Sequence, residues 1–266
     1  MRQTLVDIAL WNVWGLIVFL ALLGLAALGL GYASGRRRAT RGTDPVEGIK
    51  LVSGAILAIT AFVLALTLSF ASSRMQERRD EGKEEANGIG TAWLQAKAVG
   101  DPRAEAIATA FQDYIALRRD SLLLDAGDPR IEAIAVQVGA LQTQIWDQMT
   151  ALVRDRPDPL TVSLMNAINH AFDMTTSERL AVNNQMPTQL SYLLLALVLA
   201  GIFVVGLQLG LVGRRHPLLS VTLIALWTYV VVLILDFGNA RAGWFRTSVA
   251  AYDMTIEGFG PPAQQP

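Results

Sequence analysis

Four stretches of the chain carry no Asp, Glu, Lys or Arg: residues 8–35, 51–73, 180–213 and 217–235. A helix needs about 20 apolar residues, each rising about 1.5 Å, to cross a hydrocarbon core. The pattern therefore predicts four membrane spans, near Trp11–Ala33, Leu51–Ala71, Leu190–Val212 and Leu218–Leu235. The first apolar run is longer than the roughly 7 to 15 residue core of a secretory signal, and no small-residue cleavage site with a basic leader precedes it, so it reads as a helix.

Between the second and third spans the pattern changes. Residues 74–188 hold 17 acids and 12 bases and are punctuated by Gly100-Asp101-Pro102, Asp125-Ala126-Gly127-Asp128-Pro129 and Arg156-Pro157-Asp158-Pro159. Proline suits a first helical turn and aspartate a cap, so these breaks separate four helices. Ile131, Ile134, Val138, Leu141, Ile145, Met149 and Leu152 recur at three and four residue intervals, as one buried helical face requires. Ile107, Phe111, Tyr114, Ile115 and Leu122 do the same one helix earlier. No alternating β-branched run competes, so no strand is predicted.

The expected fold is all-α, an integral membrane protein with a helical bundle inserted between its second and third spans. Its parts are a transmembrane hairpin over 1–73, a soluble four-helix domain over 74–188, a second hairpin over 189–237 and a tail over 238–266. Nothing between Phe70 and Gly82 stops a helix, so the first soluble helix is expected to continue the second span. Pro187 is expected to begin the third span or kink its approach.

Composition agrees and narrows the chemistry. Of 266 residues 52% are hydrophobic and only 17% charged, which is membrane-like. Cysteine is absent, which excludes disulfides, thiolate nucleophiles and Cys-type metal sites. The two histidines, His170 and His216, lie far apart in sequence, and the adjacent Glu84 and Glu85 point about 100° apart on a helix. No catalytic residue, metal site or cofactor is predicted, and the chain reads as a non-enzyme. The predicted spans hold no Asp, Glu, Lys, Arg or His, which weighs against proton-coupled pumps and leaves a passive pore open.

The short connections 34–50 and 213–217 contain Arg36, Arg37, Arg38, Arg41, Lys50, Arg214 and Arg215 against two acids. Basic short loops stay in the cytoplasm, which puts the central domain and both termini outside a bacterial plasma (inner) membrane. Arg74, Arg78, Arg79, Lys83, Arg241 and Arg246 weigh on the opposite side. Small residues spaced by four, at Ala27, Gly31 and Gly35, at Gly54 and Ala58, and at Gly206 and Gly210, suggest close helix packing within the chain or a homo-oligomer.

Three segments carry a resemblance: EEANGIGTAWL (84–94), NHAFDMTTSERLAVNNQMP (169–187) and DFGNARAGWFRTS (236–248). Together they resemble the bestrophin-like domain family, mostly bacterial four-span membrane proteins of unknown function. The family pattern falls on Glu85, Ala86, Asn87, Ile89, Gly90 and Thr91, on Asn169, Asp173, Arg179 and Pro187, and on Asp236, Arg241, Gly243, Arg246 and Ser248. Gly238, Asn239 and Ala240 depart from it, where the family tends to have an acid, an arginine and a proline. The resemblance implies likeness to bestrophins, pentameric anion channels whose central region and termini are cytoplasmic, in conflict with the sidedness read from the loops.

If the helix leaving the second span is continuous, Glu85 stands about 18 Å beyond Ser73, and Arg179 about 16 Å before Leu190. The two are expected to meet. With Asn87, Asn169, Asp173, Asp236, Arg241 and Arg246 they form the candidate binding set, a polar lock between bundle and membrane helices or an anion site. The partners expected are the lipid bilayer and other copies of the chain, with no nucleic acid. An oligomeric pore is the first functional reading; a membrane scaffold or sensor whose helical domain binds a ligand or protein is the second.

Overall fold

The structure, a computed structural model, describes residues 13–41, 46–184, 186–213 and 216–260. These form eight helices: α1 (Val13–Arg41), α2 (Val46–Val99), α3 (Pro102–Leu123), α4 (Arg130–Asp155), α5 (Pro159–Asn183), α6 (Thr188–Val212), α7 (Pro217–Phe237) and α8 (Ala250–Gly258), with no strand among the described residues. Four helical stretches are long and apolar enough to cross a membrane; they contain α1, the first part of α2, α6 and α7. The chain is thus an all-α, multi-pass membrane protein. Its described residues divide into two compact units, one within 13–74 and 186–245, the other of 75–184 and 246–260. Arg214 and Arg215, two of the loop charges used for sidedness, lie outside the described residues.

In the apolar unit, α1, α6 and α7 share a core of Leu16, Leu20, Leu194, Val198, Ile202, Ile224, Val231 and Val232. Glycine brings α1 and α6 together backbone to backbone. A Cβ on Gly31 would stand 2.0 Å from the Phe203 carbonyl oxygen, and one on Gly35 2.1 Å from that of Leu207. Reciprocally, a Cβ on Gly206 would meet the Leu28 carbonyl oxygen at 2.3 Å and one on Gly210 that of Tyr32 at 2.2 Å. The four-residue glycine spacing on α1 and α6 is therefore consumed within the chain, where small residues allow dispersion contacts that bulkier ones would forbid. Gly54 on α2, by contrast, has nothing within 4 Å of where its Cβ would be.

α2 joins this unit by a narrow seam. Ser53, Thr60 and Thr67, seven residues apart, are buried, while Leu51, Val52, Ile59, Phe62 and Leu66 are exposed. Thr60 Oγ1 bonds back to the Ile56 carbonyl at 2.8 Å and lies 3.2 Å from that of Leu197 on α6.

In the other unit the second half of α2 continues without a break and meets α3, α5 and α8, while α4 packs against α3 and α5. The breaks between these helices are capped as their sequences require. Asp101 accepts the Arg103 N–H and Pro102 opens α3. Asp158 and Thr161 bond reciprocally as a capping box with Pro159 at the first position of α5. The α3 stripe, Ile107, Phe111, Tyr114, Ile115 and Leu122, is wholly buried. On α4, Val138, Ile145, Met149 and Leu152 are buried, whereas Ile131, Ile134 and Leu141 are only half-buried toward the start of the helix. Residues 250–258, read from sequence as part of a tail, are helical, and α8 buries Tyr252 completely.

Candidate functional site

The bundle is centred on charge. Arg118 points inward from α3 in phase with Phe111, Tyr114 and Leu122, and it is 5% exposed. Its Nε donates to Glu85 Oε1 at 2.6 Å and its Nη2 to Glu85 Oε2 at 3.0 Å, a two-point grip on the α2 carboxylate. Nη2 also donates to Glu178 of α5. Thr175, one turn before Glu178, donates to Glu85 Oε1 at 2.8 Å, and the Tyr252 hydroxyl of α8 donates to Glu85 Oε2. Behind Thr175 the Tyr114 hydroxyl donates to Thr175 Oγ1 at 2.8 Å and itself accepts from Gln142 of α4 at 2.9 Å. Every helix of the unit thus sends at least one polar side chain to this knot.

Buried charge is tolerable only when each group is paired and its remaining lone pairs are bonded. Glu85 meets that condition with four hydrogen bonds from three groups: two from one guanidinium, one from a threonine hydroxyl and one from a tyrosine hydroxyl. Burial works against the charge of Arg118, but the Glu85 and Glu178 carboxylates outweigh it and hold the guanidinium above its ordinary range. Burial pushes the Tyr114 phenol up to about 12, and burial with the Glu85 charge raises Tyr252 further. Neither phenol nor guanidinium exchanges a proton near neutral pH. The knot binds helices together. Among the described residues, no group of three His, Asp or Glu side chains is placed to hold a metal ion.

The residues singled out from the sequence separate. Glu85 is at the centre, but its partner is Arg118 and not Arg179. Arg179 is exposed, and the neighbouring Glu178 is the α5 residue turned inward. A helix places adjacent side chains about 100° apart, so reading one position off exchanges a buried acid for an exposed base. Asn87, Asn169 and Asp173 are exposed as well. Arg246 pairs with Asp125 at 2.8 Å, and Arg241 is half-buried with partners of its own.

Asp236 closes a separate piece of structure in the apolar unit. Its carboxylate accepts the backbone N–H groups of Trp244 at 3.0 Å and Phe245 at 3.3 Å, folding the chain back after α7. Asn239 Oδ1 accepts from Arg241 N at 3.0 Å and Ala242 N at 2.9 Å, so the residue that departs from the family pattern still shapes the turn. Gly243 has φ +87°, and a Cβ there would stand 2.0 Å from Asp236 Oδ1. Only glycine satisfies both constraints.

Arg118, Thr175, Glu178 and Tyr252 were not foreseen. Arg118 had a signal, a charge in register with an apolar stripe, and Thr175 and Glu178 repeat with Ile168, Ala171 and Val182 along the buried face of α5.

No protein-family model matches the sequence, and no curated protein matches it. Solved structures do. A crystal structure of a bacterial bestrophin homolog from Klebsiella pneumoniae, determined with zinc phasing, shares 16% identity and a TM-score of 0.69, covering 91% of this chain and 97% of its own. Two structures of variants of that homolog align with TM-scores of 0.68 at 15% and 14% identity, each covering 93% of this chain and 95% and 99% of theirs. The likeness spans the whole alternation of apolar and bundle-forming helices and establishes a bestrophin-like fold.

Proposed function

We propose that this chain, which has the fold of the bacterial bestrophin homologs, is a non-enzymatic subunit of an oligomeric, channel-like membrane protein that passes anions. The observation that carries the proposal is the way α2 is held. Its apolar half is buried only at Ser53, Thr60, Thr67 and Ala71, with Leu64 and Leu68 half-buried against the core, and leaves Gly54, Phe62 and Leu66 uncovered. A helix so thinly packed is free to meet other copies or line a shared pore. α1 and α6 cannot do the same through their glycines, which face each other. Hydroxyl groups and apolar side chains are sufficient to wall a pore that lacks buried charge.

Within this reading Glu85 belongs to a structural lock. The cations Arg179, Arg241 and Arg246 are the candidates for contact with anions. The chain is placed in a bacterial inner membrane with its central unit and termini extracytoplasmic, and a reporter fused after Asp125 tests this: a cytoplasmic signal reverses the orientation. A scaffold or sensor is the second reading, favoured by an open groove in the bundle unit described below.

The test is to purify the protein in detergent, measure its mass, reconstitute it in a planar bilayer and record reversal potentials in asymmetric chloride. An oligomer with anion-selective current supports the proposal. A folded monomer without conductance overturns it.

A further inference from the structure

A groove of about 710 Å³ lies between the second half of α2 and the start of α8. Arg79, Lys83 and Asn87 line it from α2, and Ser248, Ala250, Ala251, Met254 and Thr255 from α8 and the residues just before it. No acid is among the lining residues. This is a sorting of charge and not a general basicity of the helix. Arg79, Lys83 and Asn87 follow one another at four-residue steps and so share a face, while Glu77, Glu81 and Glu84 lie about 100° to 160° around the helix from Lys83 and Asp80 lies about 60° from it, at the edge of that face.

The polar groups of the wall are available. Arg79 and the Asn87 amide make no hydrogen bond or ion pair among the described residues, and both are exposed. Lys83 reaches Asp80 at 2.9 Å, but that pair has side chains 62% and 66% exposed, and an exposed pair of this kind holds weakly enough to be exchanged for a ligand anion. Ser248 Oγ accepts the Ala250 N–H at 3.3 Å, which leaves its own proton to donate. The first turn of α8 presents its positive end at Ala250 and Ala251. Opposite the cations, the alanine methyl groups and Met254, 71% exposed, offer an apolar floor.

We propose that this groove binds a phosphomonoester that carries an apolar or uncharged body. Arg79 and Lys83 hold the phosphate, Asn87 and Ser248 donate to its oxygens, and the body lies along Met254 and the α8 alanines. Size argues for more than inorganic phosphate, since the groove has room for roughly two dozen waters at about 30 Å³ each. It falls within the roughly 300 to 1,000 Å³ of small-molecule sites. The same chemistry is presented by a phosphate-bearing lipid headgroup and by a soluble organophosphate. The site involves none of the residues of the Glu85 knot and does not depend on the chain conducting ions.

The experiment is calorimetric titration of the full chain in detergent with three probes: short-chain phosphatidic acid, glycerol 3-phosphate and short-chain phosphatidylcholine. Binding of phosphatidic acid with little binding of phosphatidylcholine supports the site; added glycerol 3-phosphate binding identifies a soluble source, and its absence a lipid one. Arg79→Gln and Lys83→Gln should each weaken binding about tenfold, the loss of one charge-assisted contact, while Glu84→Gln on another face should not. Both cations are exposed, so thermal unfolding should be unchanged, and either variant alone decides the matter if the other is poorly made. No binding of any probe at millimolar concentration, equal binding of the zwitterionic lipid, or full affinity in Arg79→Gln and Lys83→Gln overturns the proposal.

Discussion

The two units solve opposite packing problems. In the apolar unit the solvent is already hydrocarbon, so burying one more leucine gains little, and α1 and α6 cohere by bringing carbonyl oxygens against glycine Cα atoms. In the bundle unit water drives apolar side chains inward, yet its centre is a carboxylate gripped by a guanidinium and a phenol. Stability in the first is a matter of shape at a few positions without side chains. In the second it depends on every partner of a charge being present.

The strongest test of that contrast is Gly31→Leu. Its side chain would enter the Phe203 backbone, which has no rotamer through which to yield, and a cost above about 4 kcal/mol is expected, seen as loss of monodisperse protein on size-exclusion chromatography. Normal yield and melting would mean that the α1–α6 contact is not set by backbone approach. Arg118→Ala comes next. It leaves Glu85 and Glu178 buried without their cation and should cost about 3–5 kcal/mol in thermal or denaturant unfolding. Replacing Arg118, Glu85 and Glu178 together with methionine and leucine should recover most of that loss, because a buried charge cluster can be replaced by an apolar one. Failure of the triple variant to recover would show that the knot specifies the bundle as well as closing it.

A smaller effect is expected in alkali. Tyr114 in the folded chain has its pKa raised to about 12 against an ordinary value near 10, so the folded state keeps a proton that the unfolded state gives up. That contribution is whole below about pH 10 and is lost as pH rises toward about 12, a decline of roughly 2–3 kcal/mol in the unfolding free energy. Tyr114→Phe should flatten this decline, and an unchanged slope would remove Tyr114 as its source. Least of all, Gly54→Ala, with open space at its Cβ, should raise the melting temperature slightly, by up to about 1 kcal/mol of helix propensity. A marked loss would reveal a neighbour at that face in the assembled protein.

The membrane helices were legible because freedom from charge over twenty residues is a local property that water does not produce by accident. The caps at Asp101 and Asp158 and the stripes of α3 and α4 were legible for the same reason, since each depends on residues within a turn or two. The knot was not. Glu85 and Tyr252 are 167 positions apart, and no periodicity relates them. Arg179 drew attention through a motif, whereas the face that meets α2 is set by Ile168, Ala171 and Thr175, which put Glu178 inside. The α8 helix, nine residues long and bearing one fully buried side chain, offered too short a stripe to count.

The position of Tyr252 in the chain also orders events in biosynthesis. A ribosome delivers α2, α3, α4 and α5 first, then two membrane spans, and only then the phenol that donates to Glu85. Until α8 emerges, one oxygen of that carboxylate has no tyrosine to bond, and the helices around it are held by an unfinished contact. Completion of the bundle therefore comes after synthesis of both later spans, because the last donor to Glu85 follows them in the chain.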